Sequence, residues 1–155
     1  MTEVQILEYR KEHQPWFEKL NRTWIEQYFQ MEKIDFEVLQ DPDTHIIAKG
    51  GSILMALLEK EIAGTVALKY SKPGVFEFTK MAVDEKHRGK KVGLVLAQAA
   101  IRQVKKMGGH TIILYSNTVL EPAIRLYRKL GFVEVPVDGP YKRSNIKMEL
   151  RLSAL

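Results

Sequence analysis

The chain contains no cysteine. Disulfides, thiolate metal sites and a cysteine nucleophile are therefore excluded, and the composition fits a reducing, cytoplasmic setting. No long uncharged apolar run is present, so no membrane span and no membrane partner are expected, and the opening Met-Thr-Glu-Val-Gln lacks the basic-then-apolar build of a secretion signal. The four histidines, His13, His45, His87 and His110, share no metal-ligand spacing and fall in different segments. They are read as surface or turn residues, and no metal is expected. The formal charge is +5, yet no basic tract is interleaved with aromatics. Nucleic acid is accordingly not expected as a partner. Repeats, low-complexity tracts and linkers are also missing, and 155 residues suit one domain, 1–155, with one core.

What is there reads as alternating helices and strands. Val4 to Tyr9 predicts a strand. Pro15 suits a first helical turn, and Trp16, Leu20, Trp24 and Tyr28 recur every four residues, predicting an apolar helical face. A second short helix is expected over Phe36 to Leu39, ended by Asp41-Pro42, and Gly50-Gly51 breaks the chain. Three strands follow, Ile53 to Leu58, Ile62 to Tyr70 and Val75 to Val83, with turns at Glu59-Lys60-Glu61 and Pro73-Gly74. Such close succession predicts an antiparallel meander. Val92 to Met107 reads as a helix closed by Gly108-Gly109, and Thr111 to Tyr115 as a buried strand of parallel type. Pro122 to Leu130 is a helix ended by Gly131; Phe132 to Val135 and Ile146 to Leu150 are strands, with 136–140 a loop. The fold class is α/β (α+β).

The most informative stretch is Glu77 to Gly93, E-F-T-K-M-A-V-D-E-K-H-R-G-K-K-V-G. A strand leads through a charged turn into an Arg-Gly-x-x-x-Gly segment that opens an apolar helix. A helix N-terminus carries unpaired backbone N–H groups and partial positive charge, and glycine lets a phosphate come close. The stretch therefore points to a pyrophosphate and a nucleotide-bearing cofactor.

Together with the downstream A-I-R-L-Y-R-K-L-G-F, Ala123 to Phe132, this order of elements resembles the GNAT family of acetyl-CoA-dependent N-acetyltransferases. The resemblance covers nearly the whole chain. It implies an acyl-CoA N-acyltransferase fold with a central mixed sheet of about six or seven strands flanked by helices. It also implies acetyl-CoA as co-substrate. The family's pyrophosphate motif is Arg/Gln-x-x-Gly-x-Gly/Ala; here Arg88, Gly89, Lys90, Lys91, Val92 and Gly93 occupy it, with Lys91 where the first motif glycine is usual.

By the same resemblance, Met81, Ala82 and Val83 offer backbone groups to the pantetheine arm, which pairs like an added strand. Glu77 matches the strand glutamate that serves as general base. It lies an even number of residues before Val83, which predicts that both point to one face; an ordered water is the alternative base. Tyr127, in Leu126-Tyr127, matches the family tyrosine that protonates the leaving thiolate. Asn117 is expected to touch the cofactor from the loop after the strand, since the usual family position is Leu120 here. Trp24 and Tyr28 are candidates for an acceptor-pocket wall, with Phe29 beside them. Tyr141 and Arg143 lie near where family substrates enter, and Arg143 is the candidate for an acceptor carboxylate.

Two functions stand at this point. One is acetyl transfer to a primary amine, on a small molecule or on a protein or peptide, by direct attack in a ternary complex. The other is a non-catalytic acyl-CoA-binding sensor or interaction domain. Dimers are common in the family, often through the last strands, and no residue here decides for or against a homodimer.

Overall fold

Alternating and apolar segments of this chain assemble one mixed sheet of seven strands in a computed structural model that describes residues 3–139 and 141–152. The strands are β1 (Gln5–Glu8), β2 (Ser52–Leu58), β3 (Glu61–Lys72), β4 (Val75–Val83), β5 (Thr111–Ser116), β6 (Val133–Val135) and β7 (Ile146–Arg151). Their spatial order is β1-β2-β3-β4-β5-β7-β6. Every neighbouring pair is antiparallel except β4 and β5. The helices are α1 (Gln14–Tyr28), α2 (Lys33–Gln40), α3 (Val92–Lys106) and α4 (Glu121–Lys129). The expected fold class, meander and element order are found; Pro140, at the end of the expected 136–140 loop, lies outside the described residues.

The hairpin between β2 and β3 turns on Glu59 and Lys60, both at positive φ, the conformation that matches the right-handed twist of the flanking strands. β3 and β4 are buried on both faces. On one face Leu54, Val66, Leu68, Phe76 and Phe78 pack with Val92, Leu96 and Ala100 of α3. Gly64 makes that packing close: a Cβ there would meet Leu96 Cδ1 at 2.9 Å and the Ala82 carbonyl at 3.0 Å. On the other face Phe17, Val38, Leu39, Ile53, Met55 and Ala67 form a second core under α1 and α2.

The buried face of α1 differs from the expected one. Phe17, Leu20, Asn21 and Ile25 are buried, whereas Trp16 is 46% and Tyr28 47% exposed. A strict four-residue repeat drifts by about 40° per step on a helix of 3.6 residues per turn, so 16-20-24-28 winds off the core face. The second helix begins at Lys33, earlier than expected, where Glu32 and Asp35 cap each other reciprocally. After Pro42 the chain makes one wide helical turn, Asp43–Ile47. Among the described residues no helix is long and apolar enough to cross a membrane.

Candidate active site

The site begins with a split in the sheet. β4 pairs with β5 in parallel from Val75↔Thr111 to Phe78↔Leu114 and no further, although both strands continue. The cause lies in β4 itself. Against β3, Ala67 faces Thr79 but Thr65 faces Ala82, so Lys80 and Met81 together oppose Val66. Lys80 takes the left-handed conformation, φ 53°, in this bulge. A bulge bends its strand and adds twist, and here it swings the end of β4 away from β5. The β5-facing edge of Thr79–Val83 is left open, as the pantetheine expectation for Met81, Ala82 and Val83 requires.

The bulge also overturns the expectation that Glu77 and Val83 share a face. Phe76, Phe78, Met81 and Val83 all pack with the α3 core, whereas Glu77 and Lys80 reach partners on the opposite side. One extra residue reverses strand parity. A cavity of about 640 Å³ occupies the split, and its wall includes Glu77 and Tyr141 as well as Tyr127 and the turn before α3.

The side of this cavity next to α3 has the geometry to fit a pyrophosphate. Gly89 has φ 80° with open space around it, and Lys91 takes φ 64° as the residue before α3. No side chain caps α3 and its first turn holds no acidic residue, so the leading N–H groups stay available to an anion. At Gly93 a Cβ would come within 3.0 Å of Met81 Cε. Arg88, Gly89, Lys91, Val92 and Gly93 all border the cavity, as do Met81, Ala82 and Val83; Lys90 lies outside it, 3.6 Å from Glu59. Asn117 borders the cavity, but its side chain is engaged in the loop: Nδ2 donates to the Arg143 carbonyl (2.7 Å) and Oδ1 accepts from Val119 N–H (3.0 Å).

Tyr127 comes from α4 and is buried edge-on against Phe78 (5.7 Å between centroids) and Phe132 (5.8 Å). Burial pushes its hydroxyl up to about 12. Glu77 is 7% exposed and accepts a 2.9 Å hydrogen bond from the Tyr141 hydroxyl. Burial pushes its carboxyl above the usual carboxylate range, opposed by that hydrogen bond and by Lys69 and Lys80.

Around Glu77 lies a cluster that sequence reading missed. Lys80 Nζ donates to Asp35 at 2.7 Å, and Arg143 grips Asp35 through both terminal nitrogens (2.6 and 2.7 Å) and reaches Glu32 at 3.0 Å. Asp35 is fully buried. Burial pushes its carboxyl up, but the Arg143 hydrogen bonds and Lys80 outweigh this and hold it well below the usual range. The carboxylate that Arg143 holds is therefore the chain's own. The signal was in the strand: Glu77 and Lys80 sit three apart in an apolar run, which breaks a period of two. His87 lies in a turn, one of the two settings expected for it, yet it is buried, 1% exposed, with Nε2 3.2 Å from Glu61. Trp24, Tyr28 and Phe29 all border the cavity from the end of α1, joining Tyr141 and Arg143.

Comparison with known proteins now decides the family. The model of the Acetyltransferase (GNAT) family matches residues 8–132. The chain belongs to this family. Among curated family members, the uncharacterised N-acetyltransferase YvbK of Bacillus subtilis is 31% identical over 113 residues, 71% of this chain and 73% of that one. The mycothiol acetyltransferase of Pseudarthrobacter chlorophenolicus is 33% identical over 75 residues, 46% of this chain but 23% of that one. The chain thus matches only about a quarter of the length of such relatives. An acetyltransferase of the GNAT family from Staphylococcus aureus Mu50 has the same fold, with TM-score 0.88 at 19% identity over 97% of this chain and 100% of that one. The PaiA N-acetyltransferase of Thermoplasma acidophilum, solved in complex with coenzyme A, superposes with TM-score 0.74 at 20% identity over 96% and 99%.

Proposed function

We propose that this chain is an N-acetyltransferase that moves an acetyl group from acetyl-CoA to a primary amine by direct attack in a ternary complex. The carrying observation is that Glu77, buried and raised in pKa, borders the same cavity as Tyr127 and the uncapped start of α3. Acetyl-CoA, when bound, supplies an acetyl group activated as a thioester. The open edge of Met81, Ala82 and Val83 orients the pantetheine arm by strand-like pairing. Arg88, Gly89, Lys91 and the first turn of α3 hold the pyrophosphate.

Glu77 takes the proton of the acceptor ammonium, directly or through a water. Its raised pKa brings it nearer the working pH, where a carboxylate is a more effective base. Tyr141 aims one carboxylate oxygen and leaves the other for the acceptor. Tyr127 keeps its proton at Oη across the working range, because its pKa is about 12, and donates it to the departing sulfur.

A pure acyl-CoA sensor has no use for Glu77. Burying a carboxylate with a raised pKa costs stability, and binding a thioester requires no base there. Titration calorimetry with acetyl-CoA, with CoA and ATP as controls, followed by CoA release across a broad panel of primary amines, tests the proposal. Saturable acetyl-CoA binding and amine-dependent release are expected. Binding with no release for any amine would favour the sensor.

A further inference from the structure

Two cations, Lys80 and Arg143, stand in the cavity wall around Glu77, and both are committed. Each is hydrogen-bonded to the fully buried Asp35, and Arg143 also to Glu32. Detaching either would leave a buried charge unpaired, which is costly. The other basic residues of the wall, His87, Arg88 and Lys91, belong to the turn before α3. Lys69 faces Glu77 across the sheet from β3 but is not part of the wall. An acceptor carboxylate placed beside the reacting amine would therefore find, among the described residues, no uncommitted cation in the wall around Glu77, and would meet the Glu77 charge itself.

Aromatic surface is what that region offers instead. Trp24 stacks edge-on to Phe29 at 6.2 Å, Tyr28 is 47% exposed, and both border the cavity with Tyr141. The core does not use the Tyr28 ring.

We propose that the acceptor is a primary amine on an aromatic or apolar body with no carboxylate beside the amine: an arylalkylamine rather than an amino acid. This rests on the transferase reading above. The body packs against Trp24 and Tyr28 while the amine reaches Glu77. An α-carboxylate must shed its hydration without a partner, and a site discriminates strongly against a group it leaves unpaired. In the transfer, the nitrogen bonds to the acetyl carbon as the carbon–sulfur bond breaks. The ammonium loses two protons to solvent by way of Glu77, the sulfur takes one from Tyr127, and Tyr127 recovers one from solvent, for a net release of one proton.

The test is steady-state CoA release from acetyl-CoA with 2-phenylethylamine, phenylalanine and 1,4-diaminobutane. The kcat/KM for 2-phenylethylamine is expected to exceed both others by about tenfold or more. Equal or faster turnover of phenylalanine or the diamine overturns the acceptor class while leaving acetyl transfer standing. No release with any of the three, while acetyl-CoA still binds, also overturns it, and the broad amine panel then judges acetyl transfer separately. Tyr28→Ala should raise KM for 2-phenylethylamine without lowering kcat; an unchanged KM counts against the proposal. Glu32→Gln, which removes the charge of one of the two carboxylates that hold Arg143, should narrow the discrimination against phenylalanine severalfold, and an unaltered ratio contradicts the argument from committed cations.

Discussion

The Tyr141 hydroxyl donates to Glu77 Oε2 at 2.9 Å, joining the loop before β7 to the middle of β4. Lys80 Nζ and the Arg143 guanidinium each lie 5.9 Å from the Tyr141 ring centroid, so the ion cluster also braces the phenol. The hydrogen bond favours the ionised carboxylate and lowers the Glu77 pKa against the dominant effect of burial.

Removing it should therefore raise that pKa further. Tyr141→Phe is expected to shift the acid limb of the kcat/KM profile to higher pH, with a smaller loss at alkaline pH. A limb that stays in place would show that Tyr141 does not act on Glu77.

Tyr127→Phe keeps the ring that packs on Phe78 and Phe132 and removes only the hydroxyl. Turnover should fall by about a hundredfold, typical for loss of a general acid, while acetyl-CoA affinity and thermal stability hold. Equal loss of binding and turnover, measured by calorimetry and CoA release, would assign Tyr127 to packing. Because its pKa is about 12, wild type should show no alkaline limb from this group at lower pH.

Lys91 occupies a left-handed conformation, φ 64°, that glycine takes without steric cost. On the proposed reading, in which backbone N–H groups hold the pyrophosphate, Lys91→Gly should leave acetyl-CoA affinity within about threefold and should raise stability by up to about 1 kcal/mol. A marked fall in affinity by calorimetry would show instead that the ammonium binds phosphate.

Asp35 anchors two cations, and breaking such a buried cluster costs about 3–5 kcal/mol. Asp35→Asn should lower Tm accordingly. The native pKa of Asp35 is depressed, so its contribution is present above the ordinary carboxylate range and lost as pH falls below it. Wild type should lose stability on acidification below about pH 4 more steeply than the variant. Parallel acid denaturation curves would contradict this.

Much of this fold was legible because its punctuation is local. Pro15, Pro73-Gly74, Gly108-Gly109 and Gly131 all mark real boundaries, and Val75–Val83 was bounded correctly. The turn before α3 was legible for the same reason, since glycines and a helix start form one continuous segment. What escaped depends on contacts distant in sequence. The bulge at Lys80 is set by how β3 and β4 register, and it turns a correct strand into a wrong statement about which way Glu77 points. Asp35 lies 108 residues from Arg143, and nothing near either one announces their pairing. His87 illustrates the same limit: its turn was readable, but its burial beside Glu61 was not.

The most direct measurement compares Glu77→Gln with wild type for acetyl-CoA binding and for amine-dependent CoA release across pH. The account predicts unchanged binding, a fall in kcat of about a hundredfold or more, and loss of the acid limb that lies above the ordinary glutamate range. Transfer at the wild-type rate with the wild-type pH profile would contradict it, because the base would then lie elsewhere.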